Sequence, residues 1–284
     1  MKLEDKTAVV TGAGRGIGRA MALAQAKEGA RVALVARTAA EITAVAATIA
    51  DAGGAAKAYA LDITDLAAVE AGFAAIAADL GPIDLLTNNA GSFAAIGPIW
   101  EVNPDAWWRD IEINVRGTFH CCRAVLPQML ARGSGRIINL TGGGTATSFP
   151  HGSGYATSKA GLARFSESVN DTVIGGGVRI FAMDPGLVHT AMTDYQLEST
   201  AGQTWLGNLP DLFAKGVNVP PEAAARLSVE IGAGRFDALA GRMLAAPLDD
   251  IELAAADIAE IVENDLRSLR MNGLRDLRGS GTKA

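Results

Sequence analysis

The run Thr11-Gly12-Ala13-Gly14-Arg15-Gly16-Ile17-Gly18 constrains the fold more than any other part of the chain. Thr7 to Thr11 reads as a short apolar strand, and Gly16 to Glu28 carries a helical pattern. A strand that passes through glycines straight into a helix leaves bare backbone and unpaired N–H groups at the positive end of the helix dipole. Such a turn suits a pyrophosphate when a parallel sheet surrounds it, so Gly12, Gly16, Ile17 and Gly18 are candidate dinucleotide contacts.

The rest of the chain supplies that sheet. Apolar runs at Arg31 to Ala36, Ala56 to Leu61, Ile83 to Asn88, Gly135 to Thr141, Val178 to Asp184 and Gly241 to Ala245 bring the expected strands to seven. Several are apolar at consecutive positions, as strands covered on both faces are. Helical patterns lie between them at Ala39 to Ala52, Leu66 to Leu80, Pro104 to Ala131, Ser153 to Ile174 and Pro221 to Ile231, with a last helix from about Asp250 to Leu269. The expectation is an α/β chain: a three-layer, doubly wound Rossmann fold of about seven mostly parallel strands, as one domain over residues 1–284. Residues 191–219 break the rhythm at the carboxyl end of a strand, where a substrate lid would sit, and residues 246–284 form a C-terminal helical extension.

At 284 residues, 49% hydrophobic and with 33 glycines, the chain can bury one large core. A net charge of −6 argues against nucleic acid or an anionic membrane surface and for a small-molecule partner. Arg267, Arg270, Arg275 and Arg278 alternate with Asp265 and Asp276, the pattern of a solvated helix face. With no signal-like start and no spanning segment, a cytoplasmic location is expected. Cys121 and Cys122 read as buried thiols in a helix, and no metal cluster is visible.

After the second strand the chain reads Val35-Ala36-Arg37-Thr38, with no carboxylate for the ribose hydroxyls of NAD. Arg37 and Arg15 could instead clamp a 2′-phosphate, which favours NADP over NAD. Asp62 and Ile63 end the third strand where adenine would lie, and Asn88-Asn89-Ala90-Gly91 ends the fourth. There Gly91 permits a tight turn beside a ribose, and the amides can cross-link neighbouring strand ends.

In Tyr155-Ala156-Thr157-Ser158-Lys159 a spacing of four puts the phenol and the ammonium on one helix face. A free tyrosine has a pKa of about 10. A nearby cation favours the phenolate, so Lys159 and a cationic nicotinamide are expected to lower it.

Taken in order with Asn114 and Pro185-Gly186, these motifs resemble the short-chain dehydrogenase/reductase family over roughly residues 5–245. The resemblance implies hydride transfer between C4 of a nicotinamide and a ketone, aldehyde or secondary alcohol. Tyr155 would exchange the hydroxyl proton, Lys159 would also bind the nicotinamide ribose, and Asn114 would hold a water linking Lys159 to solvent. Pro185-Gly186-Leu187-Val188-His189-Thr190 resembles the carboxamide-binding segment, through the Val188 backbone and the Thr190 hydroxyl. A homodimer or homotetramer is also implied.

One position departs. The family's Ser, about thirteen residues before the Tyr, falls on Gly142, and Thr141 is the expected replacement. Ser148 and Ser153 are the other hydroxyls nearby, Ser153 as a possible N-cap of the Tyr155 helix. The Gly142 departure leaves open a nucleotide-binding sensor without turnover, and epimerisation or dehydration through a keto intermediate is a further alternative. Substrate identity is not legible, though Trp100, Trp205 and Phe213 hint at an apolar pocket. His151 and His189, beside likely site segments, read as structural or solvent-facing.

Overall fold

In a computed structural model, which describes residues 1–248 and 250–270, seven strands form one parallel sheet in the order β3-β2-β1-β4-β5-β6-β7. The strands are β1 (Thr7–Thr11), β2 (Arg31–Ala36), β3 (Ala55–Ala60), β4 (Ile83–Asn88), β5 (Gly135–Leu140), β6 (Val178–Asp184) and β7 (Met243–Ala245). Alternate residues feed two cores, one on each face, as the period of a strand dictates. Val10, Val32 and Leu34 pack against Met21, Ile42 and Ile49, whereas Val9, Ala33 and Val35 face Val69, Phe73 and Ile76.

The first core is covered by α1 (Gly16–Lys27), α2 (Ala39–Asp51) and α10 (Pro221–Gly232). The second is covered by α3 (Leu66–Leu80), α5 (Thr118–Arg132) and α6 (Ser153–Thr172). Each fully buried large side chain in these layers contributes about 1.5–3 kcal/mol. Strand order reverses between β1 and β4, and a crevice opens there at their carboxyl ends.

Three regions differ from the sequence expectation. The long helix from Pro104 is interrupted: α4 (Pro104–Ile111) widens into a π-helical stretch at Glu112–Gly117 before α5 begins. The segment 191–219 is not an open flap but α7 (Ala191–Glu198), α8 (Thr200–Trp205) and α9 (Leu209–Ala214), which fold over a third apolar cluster around Phe93, Ile96, Leu206 and Leu209.

In the third region, the last helix is α11 (Ala255–Glu263) instead of 250–269. Asp265 and Arg267 adopt φ of 51° and 64°, values that end a helix. Beyond them the chain returns to the sheet edge, where the Arg267 carbonyl accepts from Met243 N at 2.9 Å and its guanidinium pairs with buried Asp250 at 2.6 Å. Arg275, Asp276 and Arg278 lie outside the described residues.

Candidate active site

The crevice is a cleft of about 480 Å³ that runs from Arg37 and Asp62 at one end to Tyr155 and Met192 at the other. At its centre Gly12 and Gly16 take φ of 64° and 54°, a region that L side chains avoid. A Cβ at Gly18 would stand 2.3 Å from the Gly12 carbonyl oxygen, so α1 meets the turn only through bare backbone. Asn89 fixes β4 to this turn by donating from Nδ2 to Thr11 O at 2.9 Å and Gly12 O at 3.2 Å, while Thr11 Oγ1 accepts from Asn89 N and Ala90 N at 3.0 Å each. Asn88 donates to Asn139 Oδ1 at 2.9 Å and joins β4 to β5. These bonds are the strand-end cross-links anticipated from the paired asparagines. A glycine cradle at a helix start, held rigidly from the next strand, fits a dinucleotide pyrophosphate.

Arg15, Arg37 and Thr38 line the outer end of the cleft. Glu41, from the first turn of α2, lines it too and stands 3.8 Å from Arg15, so a carboxylate reaches this end although none follows β2 directly. Asp62 is less free to contact adenine than expected. Its Oδ1 accepts from Thr64 N at 2.9 Å and Thr64 Oγ1 at 2.8 Å, and Oδ2 lies 3.4 Å from Arg109. Burial pushes its pKa up, but the Thr64 bonds and the charges of Arg109 and Arg37 outweigh that and hold it below the ordinary carboxylate value. Ile63 lines the cleft while its carbonyl is bonded to His120 Nδ1 at 2.9 Å.

At the inner end, α6 delivers Tyr155 and Lys159 to the cleft wall, where Ala90, Gly91, Thr141, Pro185 and Thr190 join them. The Tyr155 ring stacks on Phe93, with centroids 4.5 Å apart and planes at 12°, and Phe149 meets both rings edge-on. The Lys159 ammonium lies 5.4 Å from the centre of the Tyr155 ring and donates to Leu140 O at 2.9 Å. Burial lowers its pKa to about 8, against an opposing pull from Asp184. The phenol shifts the opposite way from the sequence expectation: burial first, then the negative charges of Asp184 and Asp110, raise its pKa well above the ordinary tyrosine value. The protein alone therefore holds Tyr155 protonated.

The Thr141 hydroxyl is buried and finds no protein partner among the described residues, although the side chain lines the cleft. Unsatisfied buried hydroxyls are uncommon and call for a ligand or water. Gly142 faces the phenol so closely that a Cβ would lie 2.7 Å from Tyr155 Oη, and its φ is 155°. The Thr145 hydroxyl accepts from Gly142 N at 3.2 Å and donates to Gly142 O at 2.6 Å, fastening this loop. Ser148 is exposed, and Ser153 opens α6 without capping it, since Gly152 is the N-cap and Ser153 Oγ accepts from Trp107 Nε1 at 3.0 Å.

Asn114 sits behind the wall, in the π-helical stretch. Its amide donates to Ser92 O at 2.9 Å and Ser158 Oγ at 2.8 Å and accepts from Ser92 N at 2.7 Å. Its Oδ1 keeps one lone pair. A Cβ at Gly91 would stand 3.2 Å from that oxygen and 3.7 Å from Lys159 Nζ, so both polar groups border Gly91. Gly18, Gly186 and Val188 likewise lie behind the lining residues. The Val188 carbonyl accepts from Thr193 Oγ1 at 3.2 Å, and the same hydroxyl oxygen accepts from Thr190 N at 2.8 Å, which ties the segment to α7.

The sequence reading missed Asp110. This fully buried carboxylate accepts from Ser92 Oγ at 2.5 Å and from Ala94 N and Ala95 N at 3.0 Å, so it fixes the loop that carries Phe93. Its signal was a spacing of four from Asn114 on one helix face. Trp100, by contrast, is 81% exposed and takes no part, whereas Trp205 and Phe213 do join the third apolar cluster. His151 packs on Trp205 and His189 pairs with Asp194 at 3.4 Å, and neither lines the cleft.

Comparison with known proteins agrees with this geometry. Residues 6–201 match the family model for short chain dehydrogenases. A short chain dehydrogenase of Pseudocercospora fijiensis is 38% identical over 193 residues, 67% of this chain and 62% of that relative, so the match spans less than two thirds of its length. D-threitol dehydrogenase of Mycolicibacterium smegmatis is 37% identical over 235 residues, 80% of this chain and 90% of its own. Among solved structures, a gluconate 5-dehydrogenase from Burkholderia cenocepacia in complex with NADP and tartrate is 25% identical, with a TM-score of 0.78 over 89% of this chain and 97% of that one. An NAD+-bound xylitol dehydrogenase is 26% identical, with a TM-score of 0.80 over 86% and 98%. With a family model matched over residues 6–201 and a relative 37% identical over 80% of the chain, the protein belongs to the short-chain dehydrogenase/reductase family of NAD(P)-dependent oxidoreductases.

Proposed function

We propose that this chain reduces a ketone or aldehyde, or oxidises the matching secondary alcohol, with Tyr155 as general acid and base and NADP as the preferred coenzyme. The observation that carries the reading is that one dinucleotide cleft has Tyr155 and Lys159 in the wall of its inner end, beside Thr141. The nicotinamide, when bound, supplies or accepts the hydride. Tyr155 Oη gives its proton to the substrate oxygen in reduction and takes it back in oxidation, while Thr141 Oγ1 donates a hydrogen bond to the same oxygen.

Lys159 holds positive charge beside the phenol and offers N–H donors to the nicotinamide ribose. Asn114 fixes Ser92 and Ser158, and so positions the Phe93 loop against α6; its remaining lone pair suits a water that would relay protons from Lys159. Pro185, Gly186, Val188 and Thr190 frame the carboxamide side, and Ala90 and Gly91 the ribose side. Arg37 and Arg15 support a 2′-phosphate at the outer rim, with Glu41 as the opposing influence. Among the described residues no helix is long and apolar enough to cross a membrane. The proposal includes a cytoplasmic setting, residues 191–219 as a substrate lid, and a homodimer or homotetramer built on the Asn114 and Tyr155 helices, to be measured by sedimentation.

A screen of ketones and secondary alcohols with NADPH, NADH and their oxidised forms, followed by nicotinamide absorbance, tests the reading directly. Stoichiometric coenzyme turnover with NADPH ahead of NADH is expected. Gly142 favours one competing reading, a nucleotide-binding regulatory subunit without turnover, and hydride exchange with any substrate eliminates it.

A further inference from the structure

We infer that the substrate carries its carbonyl or carbinol carbon on a rigid apolar body, aromatic or alicyclic, and is neither a polyol nor a sugar acid. The inference rests on the oxidoreductase reading above and goes against the substrates named in the related proteins. Around the phenol the lining is ring and hydrocarbon: Phe93 lies flat on Tyr155 and Met192 closes the cleft from the lid, while Phe149, behind the lining, backs both rings edge-on. Behind them Leu206 and Leu209 are buried in the same cluster.

Polar groups at this end are few and mostly spent. The Ser92 hydroxyl donates to Asp110 at 2.5 Å, and the Lys159 ammonium donates one N–H to Leu140 O at 2.9 Å, its others being assigned above to the nicotinamide ribose. Among the described lining residues that leaves Thr141 Oγ1 and Tyr155 Oη, both needed by one substrate oxygen, the Thr190 hydroxyl, which the reading above gives to the carboxamide, and the Tyr195 hydroxyl out at the half-exposed rim. A polyol bears a hydroxyl on every carbon, and each one buried here without a partner loses its water for nothing. A flat hydrocarbon body loses nothing and gains contact with the Phe93 and Tyr155 rings and with Met192. A sugar acid fares worse, because Asp110 and Asp184 place negative charge on the phenol from behind the wall and Lys159 is the one cation at this end of the lining.

The test pairs turnover with equilibrium binding in the coenzyme-loaded protein, using 1-tetralone and 1-tetralol against D-threitol, xylitol and D-gluconate. The expected result is a kcat/KM for the tetralone pair roughly a hundredfold above that of the others, with calorimetric binding of tetralol and none of threitol. Binding of tetralol without turnover of any probe supports the apolar pocket and sinks the oxidoreductase reading. Turnover of a polyol or gluconate at an equal or better rate sinks the inference and leaves the oxidoreductase reading intact. Failure of the tetralone pair to bind or react also overturns it. Met192→Gln, close in volume but polar, should lower kcat/KM for 1-tetralone roughly tenfold with an unchanged KM for coenzyme. An unaffected variant removes the lid from the pocket and the inference with it.

Discussion

The two ends of one cleft are built from different materials. From its centre outward the cleft is main chain: two glycines at positive φ, the start of α1, and a rim of exposed Arg15 and Arg37 with half-buried Glu41. The inner end is side chain: Tyr155, Thr141 and Lys159 wedged among Phe93, Phe149 and Leu140, with Asp110 and Asn114 fixing the loop behind them. Backbone recognition is generic, since any dinucleotide offers the same phosphates. Side-chain recognition is particular to one substrate. Changes at the outer rim should therefore cost affinity for coenzyme, and changes inside should cost rate.

Five measurements would break or sharpen that contrast. Tyr155→Phe removes the proton donor and should lower kcat by about 10²–10⁴-fold, with coenzyme binding by fluorescence titration unchanged. A variant as fast as the parent refutes the inner-end assignment. Thr141→Ala should lose on the order of a hundredfold in kcat, and Thr141→Ser should keep most of it. Restoring the family serine as Gly142→Ser should lower the rate instead of raising it, because its Cβ would press within 2.7 Å of the phenol oxygen.

At the outer end, Arg37→Ala should raise the KM for NADPH about tenfold and leave that for NADH nearly alone, since a charge-assisted bond to a phosphate is at stake. An equal loss with both coenzymes would show that the outer rim reads no 2′-phosphate. The smallest effect is a pH dependence. Lys159, lowered to about 8 by burial, carries its charge below that pH and loses it above, so kcat/KM for coenzyme, which reports the ligand-free enzyme, should decline through pH 8. A flat profile from pH 7 to 9.5 would place the titrating group elsewhere.

The sheet was legible because its signal is local. Four strands begin and end where their apolar runs do, and the other three shift by one or two residues at an end, where fraying makes boundaries soft. The glycine cradle was legible for the same reason. What was hidden depends on partners distant in sequence. Nothing near Asp110 announces that two backbone amides and a serine hydroxyl from the loop after β4 will converge on it. The apolar pattern after Ile251 suits one long helix, and it takes the return of Arg267 to Asp250 to stop it short. The direction of the Tyr155 shift was missed because sequence spacing reveals its cation neighbour but not the depth of its burial or the two carboxylates behind it.

The widened coil at Glu112–Gly117 sets a mechanical limit on how this protein can vary. A π turn holds one residue more than an α turn, and each residue advances an α-helix by about 100°. Asp110 just before that step and Asn114 within it hold the loop after β4, and Cys121, Cys122 and Val125 beyond it point into the sheet core. Deleting a single residue here would swing one half a quarter-turn or more out of phase with the other. Either the loop would lose its anchors or thiols and valine would be thrown into water, so geometry fixes the number of residues in this stretch more tightly than their identity.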